Sequence, residues 1–465
     1  MTMFGLVKHV HLVGIGGAGM SGIAEVLLNL GFVVSGSDTK RTDTTERLSG
    51  LGGAVSYGHD PLHIEGADVV VVSSAVHGDN PEVVAARESM IPVIPRVEML
   101  AELMRMKFSV AVGGAHGKTT TTSLLSAVLS EGGLDPTVVV GGKLKTSGSG
   151  GRLGASKYVV AEADESDGSF LKLSPTIAVV TTIDEEHLDY YSGLDEIKEA
   201  FTHFANSVPF YGCSIVCLDQ QNIQSIIGAI DRRVITYGLS SQADVQAHDV
   251  DASGERTRFA VEAAGRHLGE IEITMPGLHN VYNSLAAVAV GLELGVGFAD
   301  IAKGLREFEG IARRFEIKGE ANDVHVLDDY GHHPAEIRTT LSAAASRWDG
   351  RLVVLFQPHR YSRTQKLVDE FGRSFYDATV LFVTGIYAAG EDPIEGVTGG
   401  NIVEAARRYG HRSAEYIEDM DELYTRAMET IEPGDVVVTL GAGDINKVGE
   451  RILEALKADR GGTGR

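Results

Sequence analysis

Twice along this chain a short apolar run breaks into a glycine cluster that opens onto helical spacing. The first is Val10–Val13, followed by Gly14-Ile-Gly16-Gly17-Ala18-Gly19. The second is FSVAV at 108–112, followed by Gly113-Gly114-Ala115-His116-Gly117-Lys118-Thr119-Thr120. A strand that runs into a glycine turn and then a helix is the unit of parallel sheets covered on both faces. At such a turn the free N–H groups of the helix N-terminus can hold phosphate. Two of these units predict an α/β architecture with two phosphate sites.

The rhythm continues on both sides of the loops. After the first come a helix at Ser21–Leu30, strands at Phe32–Val34, Asp68–Ser73 and Ile91–Ile94, and a helical stretch Arg96–Lys107. After the second, strands YVVAE, IAVVTT and CSIVCL follow. Residues 244–275 alternate polar and apolar, the pattern of antiparallel hairpins at a sheet edge. A long helix is predicted after His279 and a linker at Glu309–Arg314. Strands at Val324–Leu327, Arg351–Phe356, Thr379–Val383 and Asp435–Leu440 make a third series. We expect three α/β domains: a Rossmann-like one at 1–107, a central P-loop ATPase-like parallel sheet with a small antiparallel edge at 108–312, and a Rossmann-like one at 313–465.

Composition excludes several classes. Glycine reaches 56 residues but proline only 12, with no Gly-X-Y period, so collagen and low-complexity disorder are ruled out. The net charge of −23 repels polyanions and argues against nucleic acid or an anionic membrane as partner. Cys213 and Cys217 lie in an apolar run and read as reduced core thiols. No apolar run is long enough to span a membrane. Lys8, His9 and His11 interrupt the N-terminal apolar stretch, so it does not read as a signal peptide, and a cytoplasmic protein is expected.

The chemistry concentrates at the loops. Gly14, Gly16 and Gly19 make a G-x-G-x-x-G after a strand, with Asp38 after the next strand, as in dinucleotide sites. That motif leaves NAD and other pyrophosphates, such as a UDP-sugar, both open. In the second loop Lys118 would reach the β- and γ-phosphates and Thr119 would ligate Mg2+, although Val112 stands where the general pattern has glycine. Mg2+ takes hard oxygen ligands. YVVAE delivers Glu162 beside Asp164, Glu165 and Asp167, and IAVVTT delivers Asp184, Glu185, Glu186, His187 and Asp189. Asn280 and Asn283 share a helix face suited to an adenine edge. Arg313 and Arg314 could swing a cation onto a γ-phosphate. The segments 328–334 and 357–363 each follow a strand of the third series. Their His332, His333 and His359 lack further ligands at zinc spacing.

Together these residues resemble the Mur ligase family of cell-wall precursor enzymes. The motifs are GIGGAGMSG at 14–22, RVEMLAELMR at 96–105, HGKTTTT at 116–122, AEADESDGSF at 161–170 and PGLHNVYN at 276–283. RRF at 313–315, DDYGHHPAEI at 328–337 and FQPHRYSRT at 356–364 complete the series. The resemblance implies UDP-N-acetylmuramate on the first domain, at Gly14, Gly16, Gly17, Ala18, Gly19, Asp38 and Ser74. It implies ATP on the second, at Gly114, Ala115, His116, Gly117, Lys118, Thr119 and Thr120, with Asn280, Asn283, Arg314 and Asp329. L-alanine would lie on the third, at His359, Arg360 and Arg363. Two Mg2+ ions would be held by Thr119, Glu162 and His187, and Lys118, Glu162, His187 and Arg314 would serve catalysis. The implied reaction phosphorylates a carboxylate, lets an amine attack the acyl phosphate, and releases phosphate, with the third domain closing over the site.

Three positions depart from the family pattern: Ala115 replaces a threonine, Thr182 stands where asparagine is frequent, and Phe201 falls near a lysine that several members carbamylate. No carbamylation is therefore expected. A monomer or homodimer is anticipated. The alternatives are a recycling ligase that adds a tripeptide to the same sugar nucleotide and, from other classes, an NAD-dependent dehydrogenase or a nucleotide-dependent switch. Folylpolyglutamate synthetase shares a similar phosphate loop but would not carry the first glycine loop.

Overall fold

A computed structural model describes residues 7–73, 75–140, 150–187, 190–252 and 256–459. The first sheet holds β1 His9–Val13, β2 Val33–Asp38, β3 Ala54–Tyr57, β4 Val69–Val72 and β5 Val93–Pro95. Its order is β3-β2-β1-β4-β5, parallel throughout. The order reverses between β1 and β4, and the crevice at the carboxyl ends there is where such sheets take ligands. The valine-rich centre of the sheet is buried: Val10, Leu12, Val70 and Val71 have no exposed surface.

The second sheet has ten strands. They are β6 Phe108–Gly113, β7 Thr137–Val139, β8 Gly151–Arg152, β9 Tyr158–Glu162, β10 Ile177–Val180, β11 Cys213–Cys217, β12 Val234–Gly238, β13 Val245–Asp251, β14 Thr257–Ala263 and β15 Arg266–Ile273. The order is β15-β14-β13-β12-β11-β10-β6-β9-β7-β8. The centre, β9-β6-β10-β11-β12, is parallel. The expected antiparallel edge is present as β13 against β14, but β13 also joins β12 in parallel, so the edge continues the main sheet. Cys213 and Cys217 are buried free thiols whose burial raises their pKa, to about 11 and about 12.

The chain divides into two compact units. One holds the first two sheets and the helices Lys118–Glu131 and Leu278–Glu293. The other holds Gly310–Arg465 with two short segments, Ala252–Thr257 and Met275–Gly277. Its sheet is β16 Glu316–Ala321, β17 Val324–Asp329, β18 Leu352–Phe356, β19 Val380–Val383, β20 Ala414–Tyr416 and β21 Val436–Leu440, in the order β16-β17-β21-β18-β19-β20. Only β16 runs antiparallel, along β17. Sequence analysis missed β16, whose sequence EIKGEA contains only two large or small apolar side chains among polar ones. Among the described residues no helix is long and apolar enough to cross a membrane.

Candidate active site

The second glycine loop is shaped by two positions that a side chain could not occupy. Gly114 has φ 140°, and a Cβ there would lie 2.1 Å from Thr181 Oγ1. Gly117 has φ 81°, and a Cβ there would lie 2.4 Å from Asn283 Oδ1. Both φ values fall where glycine is favoured. The strand end after β10 supports the back of the loop. Ala115 N donates to Thr182 O at 3.0 Å, His116 N to Thr182 Oγ1 at 2.8 Å, and Thr181 Oγ1 to His116 O at 2.5 Å. Thr182 thus supplies the hydroxyl that braces the loop. Thr119 and Thr120 lie in the first turn of the helix Lys118–Glu131.

Lys118 Nζ donates to Gly114 O at 2.7 Å and to Glu165 Oε1 at 2.8 Å. Burial alone would lower its pKa, but Glu165, Asp164 and Glu186 overcome this and raise it, so the lysine stays charged. Burial pulls Glu165 the other way, and the Lys118 charge prevails to keep it ionised. The same Oε1 lies 3.3 Å from His187 Nε2, and the Tyr191 hydroxyl pins the Glu165 carbonyl at 2.7 Å. Glu165 is 2% exposed, and its Oε2 has no hydrogen-bond partner among the described residues. Ligand atoms of Glu165, Glu186 and His187 all lie within 4.8 Å of one another. A buried bare carboxylate oxygen in such a group fits a hard divalent cation. Glu162 ends β9 beside Val112 of β6. His116 Nε2 sits 3.3 Å from Asp184 Oδ2. Asp189 lies outside the described residues. Glu165 was read only as a member of an acid run; its grip on Lys118 crosses 47 residues of sequence.

The two asparagines on the helix Leu278–Glu293 face the loop. Asn283 Oδ1 accepts from Thr121 Oγ1 at 3.2 Å, and Asn283 Nδ2 donates to Asn280 Oδ1 at 3.2 Å. Both are buried, so the pair braces the phosphate-loop helix in addition to any contact with a base. Phe201 is buried against Phe170, with ring centres 5.3 Å apart, and offers no amine for carbamylation.

In the first loop, Gly14 N and Ile15 N donate to Ser37 O at 2.8 and 3.0 Å. The fingerprint acid Asp38 turns to the loop: its Oδ2 accepts from Gly16 N at 2.9 Å and its Oδ1 from Lys40 N at 3.2 Å. The carboxylate therefore organises the loop itself. Gly17 caps the helix Ala18–Asn29, in which Gly19 also lies. Ser74 lies outside the described residues. Beneath the loop sits Glu82, which sequence analysis did not single out. Burial would raise its pKa, but His11, Ser37 and His63 hydrogen-bond it and bring it down to about 2.

In the second unit, Asp329 is buried at the end of β17. Its oxygens accept from Phe315 N and Gly331 N, both at 2.7 Å. Burial nevertheless raises its pKa to about 6. Arg313 is tied to Asp328 at 3.0 Å and to the carbonyls of Gly441 and Gly443. Arg314 lies 3.5 Å from Glu336 and 5.2 Å from the centre of the Tyr330 ring. His359 stacks on Tyr387 and packs against His332, with Arg363 Nη1 3.5 Å from its Nδ1. Burial lowers the pKa of His332 to about 3 and of His359 to about 4. Arg360, with φ 72°, is 3.8 Å from Glu391. His333 precedes the helix Pro334–Arg347, and its N–H donates to Glu336 at 3.1 Å.

Residues 9–108 match the Mur ligase family catalytic domain, 112–291 the Mur ligase middle domain, and 313–443 the Mur ligase glutamate ligase domain. The chain belongs to the Mur ligase family. Among curated Mur ligases, a UDP-N-acetylmuramate–L-alanine ligase of Geotalea uraniireducens is 56% identical, over 98% of this chain and 100% of its own. One of Geobacter sulfurreducens is 55% identical over the same shares. Among solved Mur ligase structures, the UDP-N-acetylmuramate–alanine ligase of Thermotoga maritima is 29% identical with a TM-score of 0.82, covering 97% of this chain and 99% of that one. A murein peptide ligase of Psychrobacter arcticus is 25% identical with a TM-score of 0.74, over the same shares.

Proposed function

We propose that this Mur ligase joins L-alanine to the lactoyl carboxylate of UDP-N-acetylmuramate at the expense of ATP, a step of peptidoglycan precursor synthesis in the cytoplasm. The carrying observation is that relatives of that name align with this chain from end to end at 55–56% identity. Among solved structures the Thermotoga maritima alanine ligase superposes with a TM-score of 0.82 and the Psychrobacter arcticus murein peptide ligase with 0.74, which favours alanine over a tripeptide acceptor. The site supplies what the chemistry needs. A carboxylate attacking a triphosphate brings anions together, and a charged Lys118 offsets them beside backbone N–H groups.

In the proposed reaction a carboxylate oxygen bonds to the γ-phosphorus of ATP as the bond to ADP breaks. The alanine amine then adds to the acyl carbon and loses a proton, and the tetrahedral intermediate expels phosphate to leave the amide. Gly114–Thr120 would cradle ATP, with Asn280, Asn283, Arg314 and Asp329 as further contacts. Gly14, Gly16, Gly17, Ala18, Gly19, Asp38 and Ser74 would take the sugar nucleotide. His359, Arg360 and Arg363 would take the alanine carboxylate. Thr119, Glu162 and His187, joined by Glu165 and Glu186, would hold Mg2+, which when bound neutralises phosphate charge. The domain limits 1–107, 108–312 and 313–465 belong to the same proposal.

The test is a coupled phosphate-release assay with ATP, UDP-N-acetylmuramate and each amino acid in turn. Release that requires both UDP-N-acetylmuramate and alanine is expected. Phosphate release without an acceptor, or only with a tripeptide, would overturn the assignment. Absence of any change at the reduced-nicotinamide band with NAD is expected alongside.

A further inference from the structure

The motif RVEMLAELMR at 96–105 has no task in the reaction so far. Arg96 directly follows β5, at the carboxyl edge of the first sheet, and begins the helix Arg96–Arg105. Val97, Leu100 and Met104 bury one side of that helix and fix it in place. A cation is disfavoured at a helix N-terminus, so something else must hold the guanidinium there.

Two features do. The first is Gly19, inside the helix Ala18–Asn29, where glycine's backbone freedom is not needed. A Cβ at Gly19 would lie 2.6 Å from Arg96 Nη1 and 3.1 Å from its Cζ, so the guanidinium occupies the space a side chain would fill. The second feature is Asp164, whose Oδ2 lies 3.5 Å from Arg96 Nη2. The Asp164 charge acts on Lys118, and the charges of Lys118 and Arg96 both act on Asp164. The Arg96 side chain is 22% exposed and that of Asp164 46%, so solvent screens the pair appreciably but not fully.

We propose that Arg96 is a positioning residue that couples the two nucleotide loops. With Lys118 it offsets the Asp164 charge, so that the acidic strand end does not repel ATP phosphates, from a seat against the bare Gly19 of the first loop. This rests on reading the two loops as the sugar-nucleotide and ATP sites.

The experiment titrates the full chain by calorimetry with a non-hydrolysable ATP analogue and, separately, with UDP-N-acetylmuramate. R96Q removes the Arg96 charge from beside Asp164 and should weaken analogue binding about tenfold. R96Q/D164N removes the Asp164 charge as well and should return it to within about threefold of wild type. R96K keeps the charge and should also stay within about threefold. Unchanged analogue binding in R96Q, or a double variant no tighter than R96Q, overturns the proposal. If melting curves show R96Q unfolded, D164N alone decides: it should bind the analogue at least as tightly as wild type, and tenfold weaker binding overturns the proposal. A wild-type chain that binds the analogue but not UDP-N-acetylmuramate removes the substrate reading while the Arg96–Asp164 cycle still stands or falls on the ATP arm. A wild-type chain that binds no analogue overturns both.

Discussion

Lys118 is held by a carboxylate and a loop carbonyl at once, and both distances are short. Its charge is therefore secured before any phosphate arrives. Lys118→Ala should lower phosphate release by about a hundredfold or more, the scale for removing one preorganised stabilising group. UDP-N-acetylmuramate affinity should stay within about twofold, since the first loop makes its own hydrogen bonds; release assays and calorimetry read the two effects separately. Normal ATP turnover in this variant would remove the phosphate-loop assignment. Gly117→Ala acts differently. The new Cβ meets Asn283 Oδ1 at 2.4 Å in a left-handed backbone. The Asn283 side chain must then give up its bond to Thr121. We expect a loss of about 1–3 kcal/mol in unfolding free energy, together with a smaller thermal shift on adding ATP. Lys118 and Gly117 were legible because the loop's chemistry is local in sequence. Glu165's grip on Lys118, and the use of Asp38 to organise its own loop, depend on folded distances that spacing does not encode.

At the scale of elements, the helix Ala18–Asn29 carries glycines at 19 and 22, three residues apart and so on one side. Gly22 approaches backbone: a Cβ would lie 2.7 Å from Gly150 O and 3.0 Å from its carbonyl carbon. Backbone cannot rotate aside, so Gly22→Ala should destabilise the chain by about 1–3 kcal/mol, seen as a lower melting midpoint with unchanged helix content. The loop pair after β17 and β18 sets a second element-scale expectation. Burial holds His332 and His359 below the ordinary histidine value, to about 3 and about 4. The unfolded chain accepts protons near 6.5 that the folded chain refuses until lower pH. Their contribution to stability is therefore complete above pH 6.5 and is lost as pH falls, through about 4 for His359 and about 3 for His332. Thermal midpoints across that range should drop less in His359→Asn than in wild type. The central parallel strands were readable as valine- and isoleucine-rich runs, because burial on both faces selects such residues, whereas the parallel β3, β7, β12 and β20 are short or partly polar and carry no such run. The strand β16 was not, since only one neighbour pairs with it and its residues are mostly polar.

At the scale of the molecule, three sheets are distributed over two compact units. Sequence spacing reveals sheets, because each repeats the strand–helix alternation, but not which sheets share a cooperative unit. That depends on contacts such as Gly22 with Gly150 and Arg96 with Asp164, which join the first two sheets. The second unit has what independent folding requires. Leu327, Val354, Phe356, Phe371 and Phe375 fill one buried cluster, and Val326, Val353, Leu355, Val437 and Ile452 another. Alternate residues of β17 and β18 enter the two clusters, so the sheet is covered on both faces within the unit itself. A fragment of about 150 residues with such cores is in the range of autonomous domains. We therefore expect Gly310–Arg465, expressed alone, to show an α/β circular dichroism spectrum and one cooperative thermal transition. It should bind no ATP, because the phosphate loop belongs to the other unit. The complementary cut, between Lys107 and Phe108, should yield an N-terminal fragment that melts earlier and less cooperatively than the same residues in the intact chain. It exposes the side of the helix Ala18–Asn29 that carries Gly22 and leaves Arg96 without Asp164. A broad or absent transition in Gly310–Arg465 beside a sharp one in residues 1–107 would reverse this division of the molecule.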